Sequence, residues 1–385
     1  VRLRYEARPD PIGNYMGGAV AETTLRLSAV STYLGSDIVG SYRLSYETSP
    51  STGVSRLTTV QLFDSEDESA KGLSPSRFTY QTGANAFAGS QTWLQGAFTP
   101  ANGWDPTNNP VTLADVNGDG LVDIVGFKNG VQVALAKPAG FAQPTTWLNA
   151  FSPEYDWSGD EPRYLTDING DGLADIVGFS DTGVEMALAD AASSAFVKVS
   201  ATFPYFAPNA GWSADAPRYL SDVNGDGSAD IVGFNDGVQV ALANGNGSFA
   251  SPQTWFADIG IKQGWQGDDL LMADVNGDGK SDVIAMNQQT RSVNVALSTG
   301  TSFTQAGWNQ NYANFADNST WNADNPRMMS DVNGDGLADL IGFSTEVSVG
   351  LSNGAGFEPP AIWSSSFGAP NWSSSCRPHA RRPAS

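Results

Sequence analysis

The sequence predicts an all-β protein: a β-propeller of four-stranded blades, preceded by a smaller strand-rich region. Three observations carry this. A nine-residue acidic turn recurs five times, short alternating apolar runs follow each copy, and no long helical periodicity interrupts a 385-residue chain holding 42 Gly and 21 Pro.

The turn reads DVNGDGLVD (115–123), DINGDGLAD (167–175), DVNGDGSAD (222–230), DVNGDGKSD (274–282) and DVNGDGLAD (331–339), at spacings of 52, 55, 52 and 57 residues. Its flanks repeat as well. Trp104, Trp157, Trp212, Trp265 and Trp321 each stand 9 to 11 residues before the first Asp, and three copies then read Pro-Arg (162–163, 217–218, 326–327). Downstream come an apolar run such as DIVGF (230–234), an alternating run such as VQVALA (238–243), a Gly-x-Phe region and a second Trp, as in GFAQPTTWL (140–148). Four short strands in a unit of about 40–50 residues match the size of a propeller blade. A blade cannot bury both faces alone, so the Trp and Phe positions read first as packing between blades. The other reading is that Trp104, Trp157, Trp212, Trp265 and Trp321, at loop ends, stack on a ligand.

The turn itself is metal chemistry. Side chains at its first, third and fifth positions can converge, Gly at the sixth permits the tight backbone, and Asp at the ninth can close the cage. The predicted ligands are Asp115, Asn117, Asp119, Asp123; Asp167, Asn169, Asp171, Asp175; Asp222, Asn224, Asp226, Asp230; Asp274, Asn276, Asp278, Asp282; and Asp331, Asn333, Asp335, Asp339. The Ser228 carbonyl, at position seven, is a further oxygen. Hard oxygen donors in this number suit Ca²⁺ better than Mg²⁺, which demands a stricter octahedron. An EF-hand is excluded, because its bidentate Glu at position twelve is replaced by Gly126, Gly178, Gly233, Ala285 and Gly342. The alternative is a metal-free Asx-rich turn, but crowded carboxylates repel without a cation. About five structural Ca²⁺ ions are therefore expected, moving the formal net charge from −21 to about −11. Affinities of about 10⁻⁴–10⁻³ M would suit an extracellular module.

Composition excludes much else. A net charge of −21 argues against nucleic acid or an anionic membrane as partner. The single Cys, Cys376, and single His, His379, lie in the last ten residues, so the body has no Ser-His-Asp triad, no Cys nucleophile and no His/Cys zinc site. Every recurring carboxylate is assigned to the turns, and no enzyme is predicted. No apolar run approaches the roughly 18 residues of a membrane span.

The Asp-x-Asn-x-Asp-Gly-x-x-Asp turns resemble the FG-GAP or VCBS repeats of integrin-α-like propellers, over about residues 85–372. The wording GW…PR-L-DVNGDG-DIVGF…VQVAL is similar to fungal seven-bladed integrin-like lectins, whose calcium-stabilised propellers bind sugars between blades. This chain departs from them in showing only five acidic turns. AFAGSQTWLQGAF (86–98) matches the closing part of a blade and FGAPNW (367–372) the opening of another, so six or seven blades are expected in the intact protein. The tail, 373–385, is atypical and reads as truncated or frame-shifted.

Residues 1–84 lack the repeat. SYRLSYE (41–47) alternates, SRLTTVQLF (55–63) follows a Ser-Pro-Ser-Thr-Gly turn to give a hairpin, DSEDESAKG is an acidic loop, and LSPSRFTY (73–80) leads onward. This run resembles the N-terminal region of insecticidal toxin-complex B subunits and plasmid-virulence B proteins. That resemblance implies a secreted toxin-type polypeptide whose propeller docks a protein partner, with its toxic enzyme elsewhere. The alternative is a carbohydrate-binding lectin propeller, supported by aromatic faces near Asn and Asp. Both readings imply secretion. Asn246, Asn318 and Asn371 head Asn-x-Ser/Thr sequons that matter only in a eukaryotic secreted chain. Arg163, Arg218 and Arg327 read as structural ion pairs beside the acidic turns, or as an anion site.

Overall fold

The computed structural model describes residues 1–16, 19–49, 54–66, 72–80, 92–213, 216–265, 270–287, 292–308, 326–344 and 346–364. The chain divides into two compact units, Val1–Gln91 and Thr92–Ser385. That division lies a few residues after the boundary expected at 84/85, and the tail expected from 373 lies outside the described residues.

The first unit is one antiparallel sheet in chain order: β1 (Arg2–Met16), β2 (Ala19–Leu34), β3 (Asp37–Thr48), β4 (Ser55–Phe63) and β5 (Ser76–Arg77). The hairpin expected around residue 50 is the β3–β4 pair. Register places Leu3, Val30, Tyr42 and Leu62 in one cross-strand row, while the neighbouring row holds Arg4, Ala29, Arg43 and Gln61. Arg43 lies 3.9 Å from the ring centroid of Phe63. Leu3, Tyr5 and Leu25 remain about half exposed, and Ala29 is the buried apolar side chain of this unit among the described residues.

The second unit contains five four-stranded antiparallel sheets, each with its strands in chain order. They are blade 1 (Val111–Ala114, Asp123–Phe127, Val131–Ala134, Thr145–Leu148), blade 2 (Arg163–Thr166, Asp175–Ser180, Gly183–Asp190, Ala195–Lys198) and blade 3 (Arg218–Ser221, Asp230–Asn235, Gly237–Ala241, Gln253–Phe256). Blade 4 (Leu270–Ala273, Asp282–Asn287, Ser292–Ser298, Phe303–Gln305) and blade 5 (Arg327–Ser330, Asp339–Phe343, Val347–Gly350, Ala361–Ser364) follow. The fold is that of a β-propeller, as the repeat predicts.

The second strand shows why the repeat reads as it does. Successive side chains of a strand point to opposite faces. In blade 3, Ile231 joins a cluster with Val177 and Met186 of blade 2, while Val232 joins one with Leu270 and Val283 of blade 4. Both faces are buried between neighbours, so the strand is continuously apolar instead of alternating apolar and polar. Two further clusters join blade 1 to 2 and blade 4 to 5.

Candidate functional site

Each acidic turn connects the first and second strands of its blade. In the third copy, Asp222 Oδ1 accepts the Gly225 N–H at 2.7 Å and Oδ2 the Gly227 N–H at 2.8 Å. Asp226 Oδ1 accepts the Ser228 N–H at 2.9 Å, and Asn224 Nδ2 donates to Asp226 Oδ2 at 2.8 Å. Gly225 and Gly227 hold φ of 80° and 89°, a left-handed region where a side chain is strained. Asp230 faces inward with no exposed surface: Oδ2 accepts the Val223 N–H at 3.1 Å and Oδ1 the Ala243 N–H at 2.8 Å. It thus ties the turn to the far end of the third strand. The same two bonds recur at Asp123, Asp175, Asp282 and Asp339.

Among the described residues no group of three or more His, Cys, Asp or Glu side chains is gathered to hold a metal ion. The carboxylates of positions one and five accept backbone N–H groups of their own loop, and that of position nine accepts one from the loop and one from the end of the third strand. Burial pushes Asp175, Asp230 and Asp282 up to about 7, and the neighbouring turn carboxylates push the same way. Asp123 and Asp339 are raised for the same cause. The donor set still fits a hard divalent cation. It consists of oxygens, and among the described residues no basic side chain pairs with the five buried position-nine carboxylates. Asp at positions one, five and nine and Asn at position three would hold a bound Ca²⁺ through their oxygens, and the ion would neutralise the aspartates. The fourth copy differs, because Lys280 lies 3.0 Å from Asp278.

The turns are linked to one another. The N–H of position eight donates to the carbonyl of position one in the preceding copy: Ala174 to Asp115, Ala229 to Asp167, Ser281 to Asp222 and Ala338 to Asp274, at 2.8 to 2.9 Å. Sequence reasoning did not find this belt, because its partners lie in different repeats.

At the other end of the strands, a one-turn 3₁₀ helix stands in the segment leading into each of blades 1 to 4: Pro100–Asn102, Pro153–Tyr155, Pro208–Ala210 and Ile261–Gln263. Here the repeated Trp residues find their seats. A Cβ added to Gly233 would lie 2.3 Å from the Trp212 ring, to Gly178 2.4 Å from Trp157, and to Gly126 2.6 Å from Trp104. Phe206 backs Trp212 with ring centroids 4.7 Å apart, and Phe151 backs Trp157 at 4.9 Å. Trp157 and Trp212 are buried, so these two ligand candidates are placed as packing residues; Trp104 is half-buried. In blade 4 Ala285 replaces the glycine. Trp265 is half-buried there and donates its indole N–H to the Asp258 carbonyl at 3.0 Å. Trp321 lies outside the described residues. The recurring Gly at position twelve was the signal that could have paired these Trp residues with their seats.

The Pro-Arg arginines belong to the same assembly. Arg218 Nε donates to the Phe206 carbonyl at 2.7 Å, and its guanidinium lies 5.7 Å from the Trp212 centroid and 5.8 Å from Phe179 of blade 2. Arg163 donates to the Ser158 and Glu161 carbonyls and lies 4.9 Å from the Trp157 centroid. Loop carbonyls and rings therefore hold Arg218, with no carboxylate partner among the described residues, where the sequence reading expected an ion pair.

Beside this assembly a cavity of about 660 Å³ opens between the blade 1–2 connection and the 180–183 hairpin of blade 2. Tyr155, Asp156, Glu161, Asp181 and the ion-paired Glu185 and Lys198 line it. Tyr155 is 42% exposed, leaving much of its surface open to solvent. Carboxylate acceptors beside a free aromatic face can take hydroxyls and a sugar ring.

Comparison with known proteins agrees with the fold. The FG-GAP-like repeat family matches residues 222–285. An Agrocybe aegerita lectin, whose structure is described as the basis of specific recognition of non-reducing terminal N-acetylglucosamine, is similar at 27% identity and a TM-score of 0.63, covering 85% of this chain and 81% of that one. A Photorhabdus luminescens Tc holotoxin pore structure is similar at 17% identity and a TM-score of 0.33, covering 89% of this chain and only 18% of the toxin chain. A Bacillus licheniformis rhamnogalacturonan lyase follows at 13% identity and a TM-score of 0.34, covering 86% of this chain and 68% of that one. No curated protein matches. No helix among the described residues is long and apolar enough to cross a membrane.

Proposed function

We propose that this chain is a non-enzymatic, calcium-stabilised propeller of a secreted protein that binds glycans through the loop end of its blades. One observation carries the reading: the likeness to the Agrocybe aegerita lectin spans most of both chains. The cavity beside Tyr155 offers the acceptors and ring face that sugar recognition uses. Calcium would act structurally at the turns, remote from that cavity along the strands.

A glycan array in millimolar calcium tests this, with terminal N-acetylglucosamine among its sugars. Binding that Tyr155→Ala weakens while the melting temperature holds would support the reading. An array with no binding in calcium would overturn it.

A second reading is kept because of the first unit. Its sheet shows an apolar cross-strand row with Leu3 and Tyr42 exposed, as a protein-docking surface of a toxin-type polypeptide would. Absence of glycan binding together with specific capture of a protein partner through residues 1–80 would favour it.

A further inference from the structure

In blades 1 to 3 the same two segments face each other: the 3₁₀ connection that leads into the blade, and the hairpin between its second and third strands. In blade 1 the hairpin residue Lys128 reaches across. Its Nζ donates to the Asn102 carbonyl at 3.0 Å and to the Gly103 carbonyl at 2.5 Å. In blade 3 Asn235 holds the same place, two residues after the Gly at position twelve. Its Nδ2 donates to the Gly211 carbonyl at 3.2 Å. Gly103 and Gly211 each directly precede the seated Trp of their copy, so both side chains latch the hairpin to the same point of the connection.

Blade 2 lacks this latch. Ser180 stands at the position, and its hydroxyl ends one atom beyond Cβ. It donates to the Gly183 carbonyl of its own hairpin at 3.0 Å, with Thr182 Oγ1 at 3.1 Å. Among the described residues no hydrogen bond from the hairpin reaches the Asp156 carbonyl. The cavity of about 660 Å³ opens where blades 1 and 3 are closed.

Other departures from the repeat fall at the same place. The residue ahead of the Trp is Gly in blades 1 and 3, at φ of 72° and 82°, but in blade 2 it is Asp156, at 64°. That left-handed backbone suits Gly, so a side chain is carried there against local preference. On the third strand Glu185 replaces Gln132 and Gln239, and Lys198 pairs with it at 2.6 Å. Among the described residues the Asp156 and Asp181 carboxylates have no hydrogen-bond or ion-pair partner, and both line the cavity. Two such acceptors beside the Tyr155 ring suit neighbouring hydroxyls on a sugar whose apolar face lies on the ring.

We propose that the residue two positions after the position-twelve Gly decides which blade takes a sugar. Lys128 and Asn235 shut the crevices of blades 1 and 3. Ser180 leaves that of blade 2 open, and Asp156 and Asp181 receive the sugar hydroxyls there. This rests on the glycan reading above and adds to it which of blades 1 to 3 is used.

The test titrates the full chain, in millimolar calcium, with N-acetylglucosamine and with each sugar the array retains, and follows amide hydrogen exchange. Sugar should slow exchange at residues 155–157 and 180–185, and leave 102–104, 128–130, 211–213 and 235–237 unchanged. Ser180→Lys supplies the latch of blade 1 and should weaken binding by about tenfold or more. Asp156→Gly supplies the residue of the latched copies and removes one acceptor. It should weaken binding by about tenfold while the melting temperature holds or rises, so the test survives if Ser180→Lys does not fold. Equal protection at blade 1 or blade 3, or undiminished binding in the folded variants, would overturn the proposal and leave the glycan reading standing. Failure of the unaltered chain to bind any sugar would overturn both.

Discussion

The backbone N–H of Ala229 donates to the carbonyl of Asp167 at 2.8 Å, joining two acidic turns 55 residues apart in their starting positions. Asp230, the next residue, anchors its own turn from within. A turn is therefore both a loop of its blade and a joint to the blade before it.

Asp230→Ala should destabilise the propeller strongly. It strands the buried N–H groups of Val223 and Ala243, at about 1–3 kcal/mol each. Denaturant unfolding should show the loss, and Asp226→Ala, whose exposed side chain accepts from the Ser228 N–H and the Asn224 amide, should cost clearly less.

Gly233→Ala should destabilise by about 1–3 kcal/mol through overpacking against Trp212. Blade 4 has the converse arrangement, with Ala285 present and Trp265 half-buried. Ala285→Gly should be mild. A comparison of the two midpoints checks whether close approach of the ring, and not general strand propensity, decides the residue.

Chelation should lower the melting temperature if Ca²⁺ binds the native turns. A ligand at 100 times its dissociation constant contributes about 2.7 kcal/mol per site. Lys280 already neutralises part of the fourth turn. Lys280→Ala should therefore deepen the chelator effect, as read by calorimetry with and without EDTA. An unchanged melting curve in EDTA would remove calcium from the account.

In the first unit, hydrogen bonds from Arg8 and Ser55 hold the Asp10 carboxyl well below the usual carboxylate range. Its folded value is depressed, so the stabilisation is present in full above about pH 4, the unfolded value. It is lost as pH falls from there toward the folded value. Amide protection across β1, β2 and β4 should drop in that acid window, and Asp10→Asn should flatten the dependence.

The sequence by itself determined the all-β class, the five repeats and the four strands in each, because strand periodicity and turn chemistry are local. Spacing alone located an apolar strand such as DIVGF directly downstream of each turn. The β3–β4 hairpin was legible for the same reason. Tertiary structure decided which residues meet, both within a repeat and between neighbouring repeats. It turned Trp157 and Trp212 into packing against Gly178 and Gly233, made Arg218 a clamp on the Phe206 carbonyl, and aimed the Asp230 carboxylate at Ala243. It also left Leu113 and Trp363 exposed. A residue's fate between two blades is set by the side chains of the neighbouring blade, roughly 50 positions away, and no local pattern records which neighbour is present.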